Sequence, residues 1–257
     1  MSTFDVVIVG GGAAGLMCAI TAARRDRRVL VVEHANRVGK KILMSGGGRC
    51  NFTNLGVTPD NFISSNPHFC KSALARYTPA DFIAMVDRHA IAYHEKELGQ
   101  LFCDDSSKQI VRMLLDECAA ADVRIETGCR IERVERGEDG FTLDTARGAF
   151  VVPALVIASG GLSIPSMGAS GFGYDIARQF GHTVLPTRAA LVPLTLSGRH
   201  QERLVDLAGV ALQVEARCNG VHFRNSMLLT HRGISGPAIL QISSYWNPGD
   251  DLRLNLL

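Results

Sequence analysis

The stretch Phe4 to Gly15, Phe-Asp-Val-Val-Ile-Val-Gly-Gly-Gly-Ala-Ala-Gly, constrains this chain more than any other. The apolar run Val6 to Val9 stops in three glycines, and an alanine-rich segment follows at once. That order predicts a strand, a tight turn and a helix start. Gly10, Gly12 and Gly15 satisfy G-x-G-x-x-G, and the acidic Glu33 closes the next apolar run, Val29 to Val32. In such a βαβ unit the first glycine allows the turn, the second lets a pyrophosphate reach the backbone, and the third brings helix and strand together. The helix N-terminus beginning at Ala13 and Ala14 then offers free N–H groups and a positive dipole end to the phosphates. Glu33 is placed to accept from a ribose diol, and its charge disfavours a 2′-phosphate. A ligand-free turn would explain the strand and the helix but not three consecutive glycines. The expectation is a dinucleotide site.

With 257 residues the chain can bury a large core and divide into more than one domain. Its charges nearly balance at +2, so no nucleic-acid partner is expected, though none is excluded. The densest basic cluster, Arg24, Arg25, Arg27 and Arg28, falls where the first helix should turn back, which reads as a solvated turn. The longest apolar run, Phe150 to Ala158, is interrupted by Pro153, so no membrane association is expected. The chain enters a strand almost at its start, leaving no room for a signal peptide. Seven scattered cysteines (18, 50, 70, 103, 118, 129 and 218) form no C-x-x-C pair. This argues for reduced, buried thiols in a cytoplasmic protein, with neither a disulfide framework nor a metal site.

After Glu33 come the basic stretch Arg37-Val38-Gly39-Lys40-Lys41 and a second glycine cluster, Ser45-Gly46-Gly47-Gly48-Arg49-Cys50-Asn51. A nicotinamide dehydrogenase would place another helix there. A long glycine- and asparagine-rich loop is expected instead, suited to close approach of a second large group such as a flavin ring. Helices are predicted over 67–77, from Pro79 behind a Thr78 cap, and from Ser106 or Ser107 to Ala121. A hairpin is expected over 92–102. Short β-signals over 123–126, 130–135, 141–145 and 149–152 read as one antiparallel insertion, with a turn at Gly137 to Gly140. Ala154 to Ala158 should be another buried strand, ending in Ser159-Gly160-Gly161 on the same side as the first glycine turn. A helix over 174–180 follows. Strands are then expected over 189–196, 210–217 and 221–229, and a helix capped by Ser235 runs to about Trp246. The domains are set at 1–188 and 189–257. The alternation over 251–257 reads as a strand that stops with no terminating signal, as in a chain cut short.

Taken in order, the fingerprint, Glu33, the block Lys40-Lys41-Ile42-Leu43-Met44-Ser45-Gly46-Gly47-Gly48-Arg49-Cys50-Asn51, Ala158-Ser159-Gly160-Gly161 and Leu229-Thr230-His231-Arg232-Gly233-Ile234-Ser235-Gly236-Pro237 resemble the YhiN or BaiN-like bacterial FAD-dependent oxidoreductases. The resemblance covers essentially the whole chain. It implies an α/β fold: a Rossmann-like FAD-binding domain with an antiparallel β insertion, and part of a β-rich second domain. It also implies a C-terminal return to the flavin and a helical domain that this chain lacks. By that resemblance Gly10, Gly12, Ala13, Ala14, Gly15 and Glu33 hold the ADP half of FAD. Lys41, Ser45, Gly46, Gly47, Arg49, Cys50 and Asn51 run along the pyrophosphate toward the flavin. Ile131 meets the adenine through its backbone, and Ala158, Ser159, Gly160 and Gly161 close over the dinucleotide. More distant flavoproteins attach FAD through a histidine in this loop. None lies between Gly39 and Asn54, so the FAD is expected to be non-covalent.

The leading functional expectation is hydride transfer between FAD and a small-molecule substrate, with NAD(P)H binding only transiently in the substrate's place. The alternatives are an RNA-associated flavoprotein, resembling the tRNA-modifying FAD proteins, or an inactive truncated remnant. The RNA reading calls for a basic surface that the charge balance does not suggest. His231 and Arg232, expected at a helix mouth, are the first polar groups to test for an anionic substrate. Cys50 is read as a structural thiol, and no residue is assigned as catalytic.

Overall fold

The apolar run Val6–Val9 forms β1, every residue of it buried, between two parallel partners. This arrangement comes from a computed structural model that describes residues 4–256, without the side chains of residues 199 and 200. The chain divides into two compact units, Met1–Val184 and Leu185–Leu257.

In the first unit β1 is followed by α1 (Ala13–Ala23), β2 (Val29–Val32), α2 (Lys40–Met44) and β3 (Asn51–Asn54). Next come α3 (Lys71–Arg76), α4 (Pro79–Arg88), β4 (Tyr93–Glu95), β5 (Gln100–Cys103) and α5 (Lys108–Ala120). The unit continues with β6 (Arg124–Glu126), β7 (Ile131–Gly137), β8 (Gly140–Thr145), β9 (Gly148–Val152), β10 (Ala154–Ile157) and α6 (Phe172–Gln179).

The central sheet has the order β10-β1-β2-β6, all parallel, with Val6 opposite Ala154 and Val29. Both of its faces are covered, as parallel sheets require. On one face Val6, Ile8, Val29 and Val31 pack with Leu16 and Ile20 of α1 and with Ile110, Met113 and Leu114 of α5. On the other, Val7, Val9, Leu30 and Val32 pack with Val134, Leu143 and Val152 of the antiparallel sheet β7-β8-β9. Period-two alternation thus feeds two cores from the same strands. Each fully buried Ile or Leu contributes about 1.5–3 kcal/mol relative to exposure.

Two expectations need correction. Residues 123–126 do not join the antiparallel insertion. Arg124–Glu126 form β6, parallel to β2, because the helical crossover through α5 returns the chain in the same direction. The stretch around Ser45 is not one long loop either. It comprises α2, a tight turn over Ser45–Gly48 in which Gly46, Gly47 and Gly48 all take positive φ, and β3, which pairs antiparallel with β5 in the small sheet β3-β5-β4. Thr78 caps α4 as read from the sequence: its hydroxyl oxygen accepts from the Asp81 N–H, and the Asp81 carboxylate accepts from the Thr78 N–H.

The second unit holds β11 (Leu194–Thr195), α7 (Arg199–Leu204), β12 (Ala211–Cys218), β13 (Val221–Thr230), β14 (Gly233–Ser235), α8 (Pro237–Ser243) and β15 (Arg253–Leu256). Its sheet runs β11-β14-β13-β12-β15, antiparallel throughout. Val214, Ala216, Ile239 and Ile242 form its fully buried core. The strand expected over 189–196 shrinks to Leu194–Thr195. The N-cap of α8 is Gly236 rather than Ser235, because Ser235 is still paired in β14. Gly236 has φ +92, and a Cβ there would lie 2.7 Å from the Ser226 carbonyl oxygen.

Candidate functional site

The three fingerprint glycines do three different things. Gly10 has φ +110, and a Cβ on it would lie 2.5 Å from the carbonyl oxygen of Ala158 at the end of β10. Gly15 lies deeper: its Cβ would fall 1.8 Å from the Gly10 carbonyl oxygen, which is how closely α1 crosses β1. At Gly12 a Cβ would meet nothing within 4 Å. Gly12 is the N-cap of α1 and makes no side-chain cap, and Ala13 and Ala14 behind it are exposed. Among the described residues no acceptor takes the N–H groups of Gly12, Ala13 or Ala14. They form an open cradle of donors at a helix N-terminus, suited to an anion.

Glu33 stands beside this cradle at the end of β2, only 8% exposed. Its Oε2 accepts from the Gly11 N–H at 2.8 Å and its Oε1 from the Ala35 N–H at 2.8 Å. His34 Nδ1 lies 3.0 Å from Oε1. Oε2 keeps a second lone-pair direction, so the group is held by the backbone and can still accept from a diol hydroxyl.

These groups line a cavity of about 810 Å³ in the first unit, within the size range of cofactor sites. Of the residues singled out in the sequence, it is lined by Gly10, Gly12, Ala13, Ala14, Glu33, Lys41, Ile131, Ala158, Ser159, Gly160 and Gly161. Lys41 Nζ donates to Ser163 Oγ at 2.7 Å. The Ser159 hydroxyl is buried without a hydrogen-bond partner, an unmet polar group of the kind a ligand satisfies. Gly15 lies behind the cavity as packing.

Ser45, Gly46, Gly47, Arg49, Cys50 and Asn51 do not line this cavity. Their polar groups tie α2 to its neighbours. Ser45 Oγ donates to the Ile42 carbonyl, the Gly48 carbonyl accepts from the Ser107 N–H, and the Arg49 carbonyl accepts from the Cys103 N–H. Burial raises the Cys50 thiol above its ordinary value, partly offset by a hydrogen bond to Ser45. Burial likewise pushes Cys103 up to about 11. Gly47 and Gly48 nonetheless face open space.

Sequence reasoning missed His34, Arg37, Arg130 and the segment Met167 to Phe172, all of which line the cavity. Gly168 carried a signal, since a Cβ there would sit 2.7 Å from His34 Nε2. His231 and Arg232 lie in the turn between β13 and β14 of the second unit rather than at a helix mouth. Three strand residues separate them from α8. Among the described residues no cluster of His, Cys, Asp or Glu could hold a metal, and no helix is long and apolar enough to cross a membrane.

The comparisons with known proteins agree with this geometry. The model of the HI0933-like protein Rossmann domain matches residues 4–239. The chain is 56% identical over its whole length to the ribosomal RNA dihydrouridine synthase of Escherichia coli (strain K12), covering 64% of that protein. It is 50% identical to the protein of the same name in Haemophilus influenzae, over 98% of this chain and 64% of the relative. A 3-dehydro-bile acid delta(4,6)-reductase of Clostridium scindens is 30% identical over 93% of this chain and 59% of the relative. The chain therefore spans just under two thirds of the curated relatives' length. FAD is the dinucleotide of this Rossmann domain, and the open donor cradle, the held carboxylate and the unmet Ser159 hydroxyl fit it. The expectation of no nucleic-acid partner is overturned by the two relatives whose names specify ribosomal RNA. The near-zero net charge misled because it is a sum over the chain and says nothing of how cations are distributed on its surface.

Proposed function

The chain belongs to the HI0933-like family of FAD-binding Rossmann proteins, and from that membership we propose that the protein is an FAD-dependent reductase of uridine in ribosomal RNA. The observation that carries this reading is the 56% identity, across the whole chain, to a relative named for that reaction. The bile-acid reductase relative supports the same chemistry on a different molecule, since its name also specifies reduction of conjugated double bonds. In uracil the C5=C6 bond is conjugated to the C4 carbonyl. Dihydrouridine forms when a hydride adds at C6 and a proton at C5. When bound, FAD supplies that hydride from its reduced ring, recharged by a donor such as NAD(P)H.

The residues of this chain bind and orient. The N–H groups of Gly12, Ala13 and Ala14 take the pyrophosphate, and Glu33 takes the adenosine ribose, held in place by the Gly11 and Ala35 amides. Ile131 and Arg130, which line the cavity, would meet the adenine, and Ser159 would donate its unpartnered hydroxyl. No histidine lies between Gly39 and Asn54, where related flavoproteins form a covalent link, so this reading has the flavin held non-covalently.

The test uses the full-length protein, NADPH and ribosomal RNA lacking dihydrouridine, read by mass spectrometry of the nucleosides. Uridine should gain two hydrogens at a defined position. Unchanged RNA, together with turnover of a small steroidal enone, would overturn the RNA reading. Acid precipitation should release yellow FAD into the supernatant; colour left in the pellet would refute non-covalent binding.

A further inference from the structure

The excursion between β3 and α4 does not line the dinucleotide cavity, yet it exposes several large apolar side chains. Every residue from 60 to 69 is exposed. Among them Phe62 is 41%, Ile63 58% and Phe69 63% exposed. Neither phenylalanine makes a ring contact with another described residue.

This exposure is built in rather than a product of looseness. Thr58 and Asn61 close a capping box. Ser64 Oγ accepts from the Asn66 N–H at 3.1 Å, and Asn66 Oδ1 from the His68 N–H at 3.0 Å. Cys70 is 6% exposed and anchors the end of the segment, its thiol donating to the Pro59 carbonyl. Apolar surface presented on a fixed backbone marks a contact site, and a preformed surface binds with less ordering cost.

The charges select the partner. Between Asp60 and Asp81, whose carboxylate is taken up in the α4 cap, there is no carboxylate, while His68, Lys71 and Arg76 are present and exposed. Elsewhere ten arginines stand in ion pairs, but neither Lys71 nor Arg76 does among the described residues. Covering these cations with an apolar protein face would strip their water and give nothing back. A polyanion with flat rings satisfies both features at once. Aromatic faces stack on unpaired bases, and free cations take phosphates.

We infer that residues 61–77 form a docking platform for single-stranded RNA, with Phe62 and Phe69 as stacking faces and Lys71 and Arg76 as phosphate contacts. This rests on the RNA reading above and extends it to a surface outside the cofactor cavity.

The experiment is a fluorescence-anisotropy titration of the full-length flavin-loaded protein with fluorescein-labelled oligouridylate, at several salt concentrations. F62A and F69A should each weaken binding about fivefold or more, the low end of what base stacking on an aromatic contributes. The double variant K71Q/R76Q should lower the slope of log affinity against log salt by about 1.4, two phosphates' worth for a single strand. All variants should keep the wild-type flavin spectrum and the wild-type rate of flavin reduction by NADPH. Hydrogen exchange on the unsubstituted protein guards against misfolding, because RNA should protect residues 61–77. Wild-type RNA affinity in every variant, or no protection there, overturns the platform and leaves the RNA reading standing. Loss of flavin or of solubility in the variants, without RNA protection, assigns the surface to another part of the protein and also overturns it. A wild-type protein that binds no RNA removes both inferences.

Discussion

Gly12→Ala and Gly15→Ala should separate holding the cofactor from holding the fold. Gly12 has extended backbone, φ −84 and ψ −173, open to any residue, and its added methyl would meet nothing within 4 Å. The apoprotein should therefore keep its stability to within about 0.5 kcal/mol. That methyl would stand in front of the free N–H groups of α1, where a pyrophosphate must approach. Losing one charge-assisted hydrogen bond costs about 1.5–3 kcal/mol, a loss of affinity of roughly 10- to 150-fold. Gly15→Ala reverses the pattern. Its methyl would fall 1.8 Å from the Gly10 carbonyl oxygen, so α1 must lift off β1. Overpacking of this kind costs about 1–3 kcal/mol or more, lowering Tm by roughly 2–12 °C in a chain of this size. Thermal melts of the two apoproteins and flavin-fluorescence titrations measure both quantities. A Gly12→Ala protein with wild-type FAD affinity would refute the cradle. A Gly15→Ala protein melting at the wild-type temperature would refute the packing argument.

Glu33→Ala is a blunter probe, because it also strips the Gly11 and Ala35 amides of their acceptor. Both FAD affinity and apoprotein Tm should fall, and a loss of affinity alone would contradict the geometry. At the start of β1, the Arg28 side chain and backbone N–H lower the Asp5 carboxyl from 3.8 to about 2. A depressed carboxyl stabilises the fold above its unfolded value and loses that contribution as pH falls through the folded value. The stability difference between wild type and Asp5→Asn, from urea melts, should thus be constant above about pH 4 and shrink toward pH 2. A difference that grows on acidification would show the sign to be wrong. Thr78→Ala removes the cap of α4 and should cost about 1 kcal/mol, with Thr78→Ser restoring most of it. In the folded protein at pH 8, Ellman's reagent should reach at most Cys18, the one half-exposed thiol of seven, and burial slows even that by raising its thiol. Rapid reaction of several thiols before denaturation would contradict this burial.

What the sequence determined by itself was local. The strand, turn and helix from Val6 to Ala23, the acid at Glu33, the Thr78 capping box and the turn at Gly137 to Gly140 depend on residues close together in the chain. Their chemistry is legible without knowing the neighbours. Tertiary structure decided what depends on partners distant in sequence. Residues 124–126 became a parallel strand because β2 lay open at the sheet edge, and no pattern within three residues encodes that. The Ser45 block does not line the cavity, and its backbone is tied to Cys103 and Ser107, more than fifty residues downstream. His34, Arg37 and Arg130 reached the cavity because the Gly128 and Cys129 N–H groups bond the Ala35 and Glu33 carbonyls, joining segments far apart in the chain. The charge total hid the unpaired cations of residues 61–77, since whether an arginine is free or neutralised is settled by which carboxylate the fold places beside it.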